Sequence, residues 1–335
     1  MKKWIMYGGV AIVLLLLLVT IVGVVYEMTS RSHAARDFPP QGKLVDIGGR
    51  RIQLDCRGTG SPTVIFESGL DINGSLSWSA VHDEIAKTTR ACAYSRAGIM
   101  WSDPKDGPQN AKAIAEDLHA TLVRAGEKPP FVLVGHSLGG PYIMTYTKYF
   151  GADVAGLVFV DASHPDQVQR FKAVTSYTPS NMIMLIRAGA AFAWSGAVRM
   201  VPLATQGVPH QPPSAVQAMA AYAPTSLGSL LKEFESMDQS FAEAGTFRQL
   251  GNRPLYVLTS AAPLPLETLA VLKLTPEQGR QYKEIWKEMH DEEASWSSNS
   301  QHQLVADAGH YIQFDQPGIV IDAVRSVVEN VRTNR

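Results

Sequence analysis

The first hydrophobic feature of the chain is continuous: from Trp4 to Tyr26 it reads WIMYGGVAIVLLLLLVTIVGVVY, without one charged side chain. As a helix rising about 1.5 Å per residue, this stretch spans roughly 34 Å, enough to cross a hydrocarbon core of about 30 Å. It predicts a transmembrane anchor over residues 4–26 behind a short tail, 1–3. The alternative is a signal peptide, with Ser32-His33-Ala34 as a small-x-small cleavage site that would release a secreted protein. Lys2 and Lys3 precede the span while Arg31, Arg36 and Lys43 follow it, so the positive-inside count does not orient it. Residues 27–42, ending in the proline-containing run FPPQGK, read as a linker.

Beyond Lys43 the pattern changes to short apolar runs separated by polar or helical stretches. LVDIGGRRIQLDCRG places two strand-like runs around Gly48-Gly49, a hairpin signal. TVIFES, ACAYS, FVLVGHS, GLVFVDAS, PLYVLTS and HQLVADAG continue the series, and most are apolar throughout rather than alternating. Strands of a parallel sheet covered on both faces have that character. Between them, residues 75–87 can form a helix. Residues 110–126 set Ile114, Leu118 and Leu122 at four-residue spacing and stop on Gly126. Alternating strands and helices predict an α/β fold.

The alternation is interrupted between 164 and 250, where SNMIMLIRAGAAFAWSGAVRM and SLLKEFESMDQSFAEA are helix-like and no strand is evident. A helical cap over 164–250 is therefore expected, inserted after the sixth strand of a core made of 43–163 and 251–335. Its apolar residues Met182, Met184, Leu185, Ile186, Phe192 and Trp194 are expected to pack the cap onto the body, with some lining a hydrophobic acyl pocket.

Charge and composition narrow the partners. A chain of 335 residues with a net charge of −1 has no electrostatic reason to bind nucleic acid. No pair of histidines has metal-ligand spacing such as H-E-x-x-H, so no metal site is expected. The two cysteines, Cys56 and Cys92, lie in strand-like runs rather than in a C-x-x-C pattern.

LVGHSLGG carries the chemistry. Glycines at Gly135 and Gly139 remove β-carbons where the backbone must reverse between strand and helix, which lifts Ser137 onto a sharp corner, the nucleophile elbow. A serine hydroxyl needs a base within reach and an acid to orient that base. His310, in VADAGHYIQFDQP, follows a late strand and a glycine, and it is the expected base. His136 should point away from the serine; His82 and His119 lie on helices, and His302 lies in the last strand. Asp161, at the end of GLVFVD, is the expected acid, with Asp166 and Glu267 as alternatives. The developing oxyanion would meet the backbone N–H of Leu138 and that of Leu70, which follows the tight turn at Gly69.

ESGL, YSRAGIMWSDP, LVGHSLGG, GLVFVDASHPDQ and GHYIQFDQP together resemble the α/β-hydrolase superfamily, in its cap-bearing serine esterase and lipase form. The resemblance implies an α/β-hydrolase fold: a mostly parallel eight-stranded sheet flanked by helices, with the second strand antiparallel and next to the fourth. It also implies no cofactor and a small-molecule ester substrate with an apolar acyl or alcohol part. Thioesterase, amidase, acyltransferase and non-catalytic binding roles share the fold. The implied adjacency of the second and fourth strands brings Cys56 toward Cys92; a disulfide there favours an extracytoplasmic domain held by the N-terminal anchor. Two departures stand out. The usual His-Gly before the oxyanion turn is Ser68-Gly69, and the usual acid after the seventh strand is missing, which moves the acid to Asp161. Oligomeric state is left open.

Overall fold

The computed structural model describes residues 2–176, 180–201 and 207–334. Met1 of the expected tail and the cap stretches 177–179 and 202–206 lie outside the described residues. Eight strands form one sheet: β1 Lys43–Asp46, β2 Arg51–Arg57, β3 Thr63–Glu67, β4 Ala91–Tyr94, β5 Phe131–His136, β6 Val154–Val160, β7 Leu255–Ser260 and β8 Ser300–Val305. Their order is β1-β2-β4-β3-β5-β6-β7-β8; β2 pairs antiparallel with both β1 and β4, and the remaining pairs are parallel. This is the α/β-hydrolase topology.

The uninterrupted apolar strands have a simple cause. On β5, Phe131 and Leu133 pack with Leu118, Leu122, Ile143 and Tyr146 on one face. Val132 and Val134 pack with Ile85, Val320 and Val324 on the other. Neither face meets water, so neither carries polar residues. The residues between the strands are partly as read. Helix α2, Ala111–Ala125, ends on Gly126 in the left-handed conformation. Residues 75–87 make a 3-10 turn, Gly74–Trp78, and a short helix, His82–Ala86, rather than one helix. Helix α3, Gly139–Phe150, follows the serine corner. Cys56 stands opposite Cys92 in the β2–β4 register, and a disulfide joins them.

Helix α1 runs from Lys2 to Asp37, so residues 27–37, expected in the linker, are helical. Nothing in that stretch breaks a helix until Pro39 and Pro40. The extension is also packed: Glu27 and Ala34 are buried, and the Tyr222 hydroxyl donates to the Phe38 carbonyl at 3.1 Å.

The cap contains α4 Ser180–Phe192, α5 Pro213–Glu235 and α6 Met237–Gly245, with no strand among its described residues. Contact with the body belongs to the short first helix, Gln167–Phe171, whose Phe171 stacks on Tyr282 and packs with Trp286, and to the later helices. Ala215, Ala218 and Met219 of α5 join Leu76, Ile99, Met100 and Trp101, and Phe241 of α6 joins Leu138 and Tyr142. The expectation for the apolar residues at 182–194 is corrected here: α4 has no buried residue, Met184 and Leu185 are 62% and 63% exposed, and Phe192 and Trp194 are half-exposed. With α5 and α6 covering the body, α4 lies on α5 as an outer layer.

Candidate active site

The β5–α3 corner is built by its glycines. A β-carbon at Gly135 would sit 2.7 Å from the Gly139 carbonyl oxygen, and one at Gly139 would sit 2.9 Å from that of Ser68. These approaches let the chain reverse with Ser137 at φ +52°, a left-handed value that a non-glycine residue adopts only under strong constraint. The constraint is visible: the Ser137 carbonyl accepts from Gly140 N at 2.9 Å and from Ser163 N at 2.8 Å. The turn after β3 lies against it, since a β-carbon at Gly69 would be 2.9 Å from Cβ of Ser137. Among the described residues, the N–H groups of Leu138 and Leu70 have no hydrogen-bond acceptor. Two donors beside the serine are therefore free.

Asp161 follows β6 with φ +45° and is buried. Its carboxylate accepts four hydrogen bonds. Oδ1 takes Ser260 N at 2.7 Å and Trp286 Nε1 at 2.9 Å, while Oδ2 takes Ser260 Oγ at 2.9 Å and His310 Nδ1 at 2.7 Å. Burial alone would raise its pKa. The hydrogen bond and charge of His310, with His290 and Lys283 nearby, overcome that and hold the carboxyl well below the usual carboxylate range. An ionised Asp161 fixes the proton of His310 on Nδ1 and leaves Nε2 as the accepting nitrogen.

Ser137, Asp161 and His310 line one cavity of about 610 Å³, together with residues of the cap and of 260–286. Glu267 also reaches this cavity but is exposed, with no hydrogen bond to His310 among the described residues. Asp166 is taken by Arg248, whose guanidinium donates to both carboxylate oxygens at 2.7 and 2.9 Å. His164, Asp166 and Glu292 are close enough to share a cation, but Arg248 and Arg170 pair with the two carboxylates instead. An adjoining cavity of about 480 Å³ shares Ser260, Leu264 and Lys283 and none of the three central residues.

Several side chains that the sequence did not single out hold this arrangement. His136 donates Nε2–H to the His310 carbonyl at 2.8 Å, with its ring centroid 4.7 Å from that of His310; burial pushes its pKa down to about 3, so it is a neutral strut. His290, pushed down to about 4 by burial, donates to the Ala162 carbonyl at 2.8 Å, just after Asp161. Arg96 is fully enclosed. It pairs with Glu67 at 2.7 Å and Glu233 of α5 at 2.8 Å, and donates to the Ser68 and Gly69 carbonyls at 2.9 and 2.7 Å. Its position in YSRAG, directly after β4, was the one available signal.

Residues 32–323 match the alpha/beta hydrolase family. The chain belongs to that family. Among curated relatives, YbdG of Bacillus subtilis is 23% identical over 164 residues, covering 49% of this chain and 50% of YbdG. An AB hydrolase superfamily protein of Gibberella zeae is 21% identical over 299 residues, covering 81% of this chain and 87% of its own. The chain spans half or less of the length of two curated relatives it matches: 50% of YbdG, and 18% of a probable transporter of Hormonema carpetanum, 37% identical over 130 residues. A thermophilic esterase from Thermogutta terrifontis superposes with a TM-score of 0.59 at 18% identity, covering 87% of this chain and 98% of the esterase. At that identity the likeness shows the fold. Fold and family together support a hydrolase.

Proposed function

We propose that this hydrolase cleaves a carboxylic ester through an acyl-enzyme, with Ser137 as nucleophile, His310 as base and Asp161 as acid. The observation that carries the reading is the 2.7 Å contact from His310 Nδ1 to a buried, ionised Asp161 inside a cavity that Ser137 also lines. In this mechanism Ser137 Oγ attacks the ester carbonyl carbon as its proton passes to His310 Nε2. The N–H groups of Leu138 and Leu70 stabilise the oxyanion. His310 then returns the proton to the departing alcohol, and water activated by the same nitrogen releases the acid. Serine at the corner is at odds with the aspartate-nucleophile chemistry of epoxide hydrolases and dehalogenases. Leu264, Leu272, Tyr282, Trp286 and Tyr311 give the cavity apolar walls, which suit an apolar acyl or alcohol part.

The domain arrangement that goes with this function is an anchor at 4–26 carrying the core and cap outside the cytoplasm; the Cys56–Cys92 bond supports that side of the membrane. The test of the chemistry is covalent labelling by a fluorophosphonate, together with turnover of a chain-length series of p-nitrophenyl esters. Wild type should label at Ser137 and turn over, and Ser137→Ala should do neither. An ester hydrolysed at the wild-type rate by Ser137→Ala would overturn the proposal.

A further inference from the structure

The outer layer of the cap is apolar, exposed and joined to the anchor. Phe192 and Trp194 are 58% and 51% exposed, and Met200 is 80% exposed, with Val201 beside it. Exposed aromatic and aliphatic side chains gathered in ten residues are a feature that soluble surfaces rarely keep without a partner. The partner is suggested by what the same ten residues touch on their inner side. Gly196 packs on α1, where a β-carbon at Gly196 would lie 2.8 Å from the Gly23 carbonyl oxygen and 3.2 Å from the Tyr26 ring. A β-carbon at Gly23 would in turn run into the Ser195 carbonyl. Arg199, the one charged side chain in 192–201, is neutralised by Glu27 of α1, with Nε to Oε2 at 2.6 Å, and its Nη1 donates to the Ala221 carbonyl at 3.0 Å. Glu27 also accepts from Arg31 Nε at 2.8 Å, so the one charge within 192–201 is paired and the cluster keeps a single positive charge, on the α1 side, which suits a headgroup level.

Its height relative to a bilayer follows from helix length. From Trp4 to Gly23 is 19 residues, or roughly 29 Å at about 1.5 Å each, close to the hydrocarbon thickness of about 30 Å. Gly23 to Glu27, where the cap touches α1, thus falls at the edge of the hydrocarbon, the level at which tryptophan rings prefer to sit. We propose that the cap corner of Phe192, Trp194, Met200 and Val201 is seated in the interface of the bilayer that α1 spans, so that the cap is a membrane-contacting surface and not a free lid. The occupant is lipid. Continuity with α1 argues for it over a protein partner, because a second protein would have to be wedged between this corner and the membrane surface.

The test uses full-length protein in phosphatidylcholine vesicles, spin-labelled at single introduced cysteines; the native pair is in the disulfide and takes no label. Phe192→Cys and Met200→Cys are compared with Val25→Cys at the end of the span, Val13→Cys within it, and Glu329→Cys, an exposed position on the C-terminal helix Pro317–Thr333. The readout is the ratio of oxygen to water-soluble nickel-complex accessibility. The corner labels should give the ratio of the Val25 label and lie well away from the Glu329 label. Corner labels as nickel-accessible as Glu329 would overturn the proposal while leaving the span intact, if Val13 stays protected. A nickel-accessible Val13 would overturn the span and the proposal together. Labels shielded from both reagents, with spin–spin broadening that grows with the protein-to-lipid ratio, would assign the corner to a second copy and refute lipid as its occupant.

Discussion

Replacing Asp161 by asparagine isolates the proposed role of the acid, because the surrounding hydrogen bonds dictate how the new amide must sit. Oδ1 accepts from two fixed donors, Ser260 N and Trp286 Nε1, so the amide oxygen has to take that position. The amide nitrogen then takes the place of Oδ2, facing Ser260 Oγ, which can accept, and His310 Nδ1. A nitrogen donor at 2.7 Å from Nδ1 forces His310 to accept there and carry its proton on Nε2, the tautomer that cannot take a proton from Ser137. All four contacts persist, two of them with donor and acceptor exchanged, so the fold should be kept. The chemistry should fall by roughly 10⁴-fold in kcat, or about 5 kcal/mol of transition-state stabilisation. The assay is steady-state hydrolysis of p-nitrophenyl butyrate at about pH 8, with circular dichroism as the check on folding. Glu267→Gln serves as the comparison and should stay within about twofold, since Glu267 makes no bond to His310. A folded Asp161→Asn enzyme that kept a tenth of the parent kcat, or a larger loss at Glu267→Gln, would refute the assignment.

Two further outcomes test the surroundings. Burial holds His136 at about 3 and His290 at about 4, both below the ordinary 6.5, so at these two sites the unfolded chain binds more protons than the folded one below pH 6.5. The imidazole contribution to stability should therefore fall as pH is lowered from about 6.5 toward about 4.5, while the buried carboxyls of Glu67, Asp71, Glu233 and Glu293, raised by burial, work the other way; the contribution of Asp161, whose carboxyl is depressed, is lost only at lower pH. Replacing His290 by glutamine should make the fall of Tm on acidification shallower than in the parent; a slope over this window unchanged by His290→Gln would contradict the buried neutral imidazole. Reducing the Cys56–Cys92 bond opens a loop of 36 residues, worth roughly 4 kcal/mol in the chain-entropy treatment, and should lower Tm by several degrees. Mass spectrometry after alkylation without reductant should find no free thiol in exported protein; two alkylated cysteines would remove the support for an extracytoplasmic body.

What was legible in the sequence is what short-range physics encodes. The strands show as apolar runs because both faces of the sheet are covered, and the corner at Ser137 shows because only glycine tolerates the approaches at Gly135 and Gly139. Asp161 and His310 could be picked out because each follows a strand end on the same edge of the sheet. The supports of that pair could not. Ser260 and Trp286 are 99 and 125 residues from Asp161, and no local period marks a hydrogen bond across such a distance. Ser260 bears on one departure from the family pattern: at the end of β7, where the resemblance expects the acid, this chain carries a donor to the Asp161 carboxylate of the neighbouring strand. The apolar run at 182–194 misled for a different reason. Hydrophobicity records a preference to leave water, and it does not say whether a protein core or a lipid surface provides the refuge.

Arg96 divides the cap into a part that is fixed and a part that is not. Moving α5 away from the body would strip Glu233 from a guanidinium that is buried between Glu67 and Glu233, and breaking a buried pair costs roughly 3–5 kcal/mol. The same motion would break the bond from Met100 N to Ser226 Oγ and that from Lys232 to the Lys105 carbonyl. Helix α5 is thus the fixed wall of the cap, and none of its residues lines the cavity at Ser137. The guanidinium that fastens this wall also holds the Ser68 and Gly69 carbonyls, immediately before the Leu70 N–H, so a tilt of α5 would be transmitted to the proposed oxyanion position before it reached Asp161 or His310. The outer layer at 180–201 has no such tie. Its contacts run to α5 and to α1, and the Glu27–Arg199 pair closes that side without touching Arg96. In the proposed membrane seating, forces acting through α1 meet the outer layer of the cap first, and the buried Arg96 pairs stand between that layer and the turn beside Ser137.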